Sequence, residues 1–527
     1  MASQLQPIQL DYIGINGITN NRAFADKSTS YLTECENFIL NRKGVLESRK
    51  GVYVRSDAYN SSLEAPEYIF EHIDVDGNSD TITFYSVGYH SYNSDIATAF
   101  SIGTGNTISS YNMNGVSYLI SSAGDMYKYD GAMSKYTSVA LSDKGATFIE
   151  DGGVTCASAI FGRAWVGKGQ TVYWSDLLIP DVFNTGSAGY INFNTVVGSS
   201  AGEIVAIVEN NNLLYFMFEN AIAVYQGGKE PETMSVYDII KGAGCLSKNT
   251  IQHVNGDVWF LSSQGVVSLN RLVSEKVIPL SLITTNTPLS RIDTSVRKTH
   301  PTALYSFYNK KEGLYFVRYN VDGANIVVNT TTKTQDGLYF VSTFSSVGNG
   351  RPYFTGSTTL FLTDKNDVTF CANRVTGVYG LFDHLLYGID GGFYVYEDYC
   401  DTSSGSEPVA LTQNNVSCLF NTGYLNFDAY AKLKFFKKIH FIYETEENDY
   451  LNPTIGFISV SDDTQNAIYF RFDGFSVVRG AYQHIIEDIY NGYGSGNNFS
   501  IRVALQTNGK KLTFERMVFY ITVGRFF

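Results

Sequence analysis

Residues 212–228 read NLLYFMFENAIAVYQGG. Two apolar runs flank Glu219 and Asn220, and Gly227 and Gly228 end the second. The first run, LLYFMF, is far shorter than the ~20 apolar residues that a bilayer crossing needs. Short, aromatic-rich runs bounded by turn formers read as strand, turn, strand. Such a unit leaves an apolar face that only a neighbouring unit can cover.

Neighbouring units are present. VSYLISSAGDMYKYDG (116–131), RAWVGKGQTVYWSD (163–176) and DVWFLSSQGVVSLN (257–270) repeat the theme. Looser versions follow in GLYFVRYNVDGANIVVN (313–329), RPYFTGSTTLFLTD (351–364) and GLFDHLLYGIDGGFYVYED (380–398). The first five starts are spaced by 45 to 56 residues, near the period of propeller blades, and the last two follow more closely. A closed ring of such units removes the open sheet edges. WD dipeptides and Asp boxes are missing, so no named repeat family follows from motif.

The ends have a different texture. Residues 1–55 read as an arm. STSYLTECENFIL within it predicts one short helix, with Leu32, Cys35, Glu36 and Ile39 at helical spacing. GVLESRKGVYV predicts two short strands about Lys50 and Gly51. After a polar stretch at 401–415, AKLKFFKKIHFIYET, FSIRVALQTN and LTFERMVFYITVG alternate with period two. The expectation is an all-β chain with four parts: an N-terminal docking arm (1–55), an irregular β-propeller-like domain (56–400), a linker (401–415) and a C-terminal antiparallel β-sandwich (416–527).

Chemistry is scarce in the sequence. Seven histidines form no HxH or HExxH pattern. GAGCLSK (242–248) resembles a phosphate loop only in its glycines. DVDGNSD (74–80) has oxygen ligands at alternate positions, but Tyr85 stands where a calcium loop needs its bidentate glutamate, so a hairpin turn is the better reading. The six cysteines are scattered without a CxxC, which predicts reduced, mostly buried thiols. The N-terminus has neither the basic nor the apolar segment of a secretory signal, and no stretch is long enough for a membrane span. No cofactor or catalytic residue is expected. The net charge of −13 disfavours tight neutralisation of phosphates, yet an acidic wall suits a passage in which a polyanion stays mobile.

GINGITNN…STSYLTECENFILNRKGVLESRKGVYV resembles the opening of the tail hub or nozzle proteins of short-tailed, podovirus-like bacteriophages. Gly14, Ile15 and Gly17, then Asn37, then Gly44, Leu46, Arg49 and Gly51 stand at the family's motif positions. RAWVGKGQTVYWSDLLIPDVFNTGSAGYINF (163–193) is similar to a second family segment, most specifically from Trp174, Ser175 and Asp176 to Phe183. GEIVAIVENNNLLYFMFENAIAVYQG, GAGCLSKNTIQHVNGDVWFLSSQGVVSL and the closing MVFYITVGRF resemble further family segments.

The resemblance implies a homo-hexameric structural ring beneath the portal and its adaptor proteins in the virion's short tail. Such a ring carries tail fibres or spikes. It retains and conducts double-stranded DNA without sequence-specific contact. In this reading Arg42, Lys43, Arg49 and Lys50 form an assembly contact, and Glu444, Glu446, Glu447 and Asp449 an acidic lumen segment. The competing reading is a carbohydrate-binding or glycan-cleaving propeller for receptor recognition, in which the abundant tyrosines stack on sugars.

Overall fold

The computed structural model describes residues 6–49, 68–99, 107–136 and 147–287 with short gaps, the strand 51–54, and from 304 to 524 chiefly the strands and the turns beside them. The described strands group into eight sheets, and almost every pairing is antiparallel. The chain is all-β and propeller-like.

Successive meanders form its blades. Residues 68–99, 108–135, 154–192 and 204–241 each make one four-stranded sheet, and 252–268 make a three-stranded one. Residues 305–344 supply four further strands, and 370–398 three. The first strands of these units stand side by side. Ile108–Met113 lies against Val154–Ile160, which lies against Ile204–Asn210. Tyr305–Asn309 lies between Gln252–Val254 and Phe370–Asn373, and Phe370–Asn373 returns to Tyr68–Ile73. Gly51–Val54 pairs with Phe393–Asp398 and completes the last blade, so an early strand closes the ring onto a late one.

Local chemistry repeats with the blades. The two-residue turns after four of the inner strands are Asn114-Gly115, Phe161-Gly162, Asn211-Asn212 and Asn255-Gly256, all with φ between +50° and +81°. Hairpins of this length need positive φ at both positions, which Asn and Gly adopt at least cost. A register shift falls between Val154 and Cys156 and again between Ile204 and Ala206. Hydroxyls then stitch one blade to the next: Thr155 Oγ1 donates to the Ile204 carbonyl (2.6 Å) and Ser158 Oγ to that of Ile207 (3.1 Å).

The LLYFMF strand is buried on both faces, where the sequence predicts one apolar face. Leu214, Phe216 and Phe218 pack with Trp165, Trp174 and Phe193 of the preceding blade. Tyr215 and Met217 pack with Val258 and Phe260 of the following blade. Alternate residues of one strand therefore serve two inter-blade cores, which is why the run shows no polar alternation.

The termini join the molecule by strand pairing. The 305–344 blade continues through Leu32–Glu36 into Ser417–Thr422, Asn498–Gln506, Thr454–Ser461 and Thr464–Arg471, making one nine-stranded sheet. A seven-stranded sheet combines Phe38–Leu40, Leu46–Ser48 and Gln6–Leu10 with Leu512–Val523, Lys434–Thr445, Gln483–Asp488 and Ser495–Gly496. The two sheets pack through Phe420, whose ring lies 5.9 Å from Phe38 and 5.3 Å from Phe514.

The helix predicted around residues 28–40 is not formed. Leu32–Glu36 and Phe38–Leu40 are strands, broken at Asn37 with φ +58°. A register shift between Leu32 and Glu34 turns Leu32 and Cys35 to the same buried side. That bulge produces the three-residue spacing that imitates a helix. The two strands expected in GVLESRKGVYV are present as Leu46–Ser48 and Gly51–Val54, but they belong to different sheets and make no hairpin. The described cysteines Cys35, Cys156, Cys245 and Cys418 are buried thiols in no disulfide; Cys400 and the Cys371 side chain lie outside the described residues.

Candidate functional site

The arm motif assembles into a buried knot within its own chain. Gly14 has φ +70°, and a Cβ there would meet Leu32 Cδ1 at 2.6 Å and Leu46 Cδ1 at 3.3 Å. At Gly17, φ +73°, a Cβ would meet the Val341 backbone at 2.8 Å. Only glycine allows both the conformation and the approach. Asn37 and Arg49, twelve residues apart, meet inside: Arg49 Nη1 donates to Asn37 Oδ1 at 3.4 Å and the Arg49 amide to the Asn37 carbonyl at 2.8 Å. The Arg49 guanidinium stacks 4.6 Å above Phe344. Further bonds tie the arm down. Asn329 Nδ2 donates to the Leu40 carbonyl (2.6 Å), Thr343 Oγ1 to that of Cys35 (3.0 Å), and the Leu512 amide to Ser48 Oγ (2.9 Å).

This placement corrects the assembly-contact assignment for Arg49. The residue is 1% exposed, so it offers nothing to another subunit in the folded chain. Sequence alone places a basic residue at the surface because arginine is seldom buried unless paired, and the pairing is visible only in three dimensions. Lys43 is exposed, on a turn where its amide and that of Val45 both bond Asn41 Oδ1. Arg42 and Lys50 lie outside the described residues. Of the acidic segment, Glu444 sits in Lys434–Thr445 opposite Thr513. Its side chain, with Glu446, Glu447 and Asp449, lies outside the described residues.

The Trp174-Ser175-Asp176 motif is a structural clasp. Asp176 accepts from the Leu177 amide (2.8 Å), the Ser187 amide (3.0 Å) and Ser187 Oγ (2.7 Å). The bonds from Ser187 hold its carboxyl below the usual range. Trp174 Nε1 and Arg163 Nη1 both donate to the Ser187 carbonyl. The loop 177–187 is thereby folded back on its blade. Asp74 is likewise committed to its own turn, accepting from the amides of Asp76 and Asn78 and from Asn78 Nδ2.

The cavity that gathers polar side chains from several blades lies where their inner strands converge. It measures about 520 Å³ and is lined by Ser109, Ser158, Glu209, Asn249 and His253 among others. A second cavity of about 270 Å³, lined by Thr155, Glu203 and Ser247, opens beyond it. Lys248 and Asn249 border both. Lys248 stands on the short turn Lys248–Thr250, which Ser247 caps by accepting from the Asn249 amide. Its ammonium reaches across the channel to Ser109 Oγ and to the Thr155 carbonyl, the latter at 2.9 Å. A lysine from the fifth unit thus bridges the second and third. GAGCLSK draws attention in the sequence for its glycines; in the folded chain its lysine makes the long-range contacts, and no local signal marks it.

Lys248 is half-buried, and the loss of water around it holds its ammonium down to about 8. Cys156 lies beside it, pushed up to about 11 by burial. The folded pKa is below the unfolded 10.5, so between about 8 and 10.5 the unfolded chain binds more protons and stability rises with pH. Wild type should therefore gain roughly 1–3 kcal/mol relative to Lys248→Met across that window. Urea denaturation of both proteins at pH 7.5 and 10.5 checks this; a constant difference refutes it.

Neither a protein-family model nor a curated protein matches the sequence. Solved structures are similar at low identity. YCF48 from Cyanidioschyzon merolae is 8% identical, with 64% of this chain and 97% of that one covered and a TM-score of 0.36. The Pan2 WD40 domain of Neurospora crassa is 11% identical, with 67% and 96% covered and a TM-score of 0.34. An exo-beta-1,3-galactanase from Phanerochaete chrysosporium, solved with galactose, is 9% identical, with 70% and 95% covered and a TM-score of 0.22. Likenesses this distant leave the functional argument to the chain's own residues.

Proposed function

We propose that the chain is a structural virion protein, one subunit of a hexameric tail hub or nozzle ring. The ring extends the portal-adaptor channel, retains and conducts genomic DNA, and anchors fibres or spikes. The sequence resemblance motivates the reading, and the nine-stranded sheet is the observation that carries it. A propeller blade, the arm and the C-terminal strands share that one hydrogen-bonded sheet. Such a joint resists hinging, as a wall under internal pressure requires. The outermost strands of two adjacent blades expose Tyr190 (67%), Val236 (47%) and Tyr237 (57%), apolar surface suited to a neighbour. Lys248 crosses the propeller's own channel, so in this reading DNA passes through the space that the six subunits enclose.

The converging cavity favours a second reading, the glycan-binding or glycan-cleaving propeller. A glycosidase needs two carboxylates flanking one bond. Among the described residues each cavity has a single one, Glu209 in the larger and Glu203 in the smaller, which favours binding over cleavage. Negative-stain images of the protein with its adaptor ring should show six-fold tubular particles. Solitary or open-ended particles under those conditions refute the hub, and release of reducing sugar from host polysaccharide supports the second reading.

A further inference from the structure

We propose that the propeller channel is a binding site for one small hydroxylated oxyanion, of the size and chemistry of an acidic sugar, with Lys248 as its anchor. The inference stands whether or not the chain assembles into a tail ring, and it narrows the second reading to an anionic ligand.

Lys248 carries the argument. An ammonium has three donors. Two are used, by Ser109 Oγ and the Thr155 carbonyl. Both acceptors are neutral, and among the described residues no carboxylate is within ion-pair reach of the amine. A half-buried cation held by neutral acceptors alone is still costly, and natural chains retain such a group where something pairs with it. One donor remains, on a residue that borders both cavities, and the larger of these, at about 520 Å³, is in the range of small-molecule sites.

The walls set the ligand class. Ser158 gives its proton to the Ile207 carbonyl, so its oxygen still accepts from a ligand hydroxyl. Asn249 lines the same space from the lysine's own turn, and His253 stands at the exposed end. Ile160 and Phe161 add an apolar wall. One cation, several hydroxyl partners and an apolar wall suit a single acidic sugar, with a carboxylate or a phosphate on the lysine. The titratable groups facing the amine are the Cys156 thiol beside it, Glu209 and His253 in the same cavity, and Glu203 beyond. The two glutamates disfavour ligands of high negative charge, which limits the anion to one carboxylate or one phosphate.

The test is calorimetric titration of the full chain with glucuronate, glucose 6-phosphate and glucose at pH 7. The proposal expects saturable binding of at least one of the two acids, tenfold or more tighter than glucose. It also expects at least a tenfold loss in Lys248→Met. Binding of wild type should weaken as strongly at pH 10, where the amine is neutral, so the result does not depend on the variant folding. Preference for glucuronate assigns a carboxylate, and preference for glucose 6-phosphate a phosphate. If glucose binds as well as the acids, a neutral-glycan site survives and this proposal falls. If no sugar binds, or the acids bind equally at pH 7 and pH 10, the proposal is overturned and Lys248 is a staple between blades.

Discussion

Arg49→Met is expected to cost about 3–5 kcal/mol and to release the N-terminal arm, because removing one member of a buried charged network leaves its partners uncompensated. The guanidinium lies between the propeller's Phe344 and Asn37 of the arm. The Asn37 carbonyl in turn accepts from the Cys418 thiol of the C-terminal strands at 3.2 Å. Glu36 lies in the same network: burial pushes its carboxyl up, and Arg502 and Arg49 pull it back. Without Arg49, part of that compensation is lost in a desolvated place. Urea denaturation followed by tryptophan fluorescence should show a much lower midpoint, and limited proteolysis should cut the arm before the blades. Lys43→Met, six residues earlier on the exposed turn, should stay within ~0.5 kcal/mol of wild type. Equal effects at the two positions would refute the distinction.

Trp165→Ala should cost a similar ~3–5 kcal/mol, as large-to-small changes at well-packed aromatic sites do. Trp165 is fully buried, with ring centres 5.7 Å from Trp174 in its own blade and 6.0 Å from Phe216 in the next. Its Nε1 donates to the Ile160 carbonyl at 3.0 Å, so truncation also removes a part-buried hydrogen bond. The loss should extend beyond one blade, since Phe216 and Phe193 share the same core. Calorimetry should show the described blades still melting together at a temperature lower by several degrees. Loss of only the third blade, with the rest melting as before, would show that the inter-blade cores are not coupled. Trp165→Phe should recover more than half of the loss.

The blades were legible because their signals are local. Aromatic strands, the turn formers that bound them and the spacing between units are properties of neighbouring residues, and the structure pairs these strands into antiparallel sheets. The arm misled in two ways. A bulge at Leu32 and Glu34 wrote a helical spacing into a strand. A buried arginine looked like a surface charge, because side-chain type alone does not reveal a stacked partner almost three hundred residues away. Lys248 was overlooked for the same kind of reason. Its significance lies in reaching Ser109, 139 residues earlier, and nothing in residues 242–250 announces that neighbour.

From residue order alone came the all-β class, the repeating strand–turn unit and the scarcity of catalytic motifs. These follow from backbone preferences and from side-chain alternation within a few residues. The folded molecule alone decided which strands meet: that Gly51–Val54 closes a blade with Phe393–Asp398, that Leu32–Glu36 joins a propeller blade to the C-terminal strands, and that a lysine stands in the channel. The reason is that amide ladders are chemically alike in every strand. Partners hundreds of residues apart are chosen by the cores that their side chains jointly fill, and that choice exists only once the chain has closed on itself.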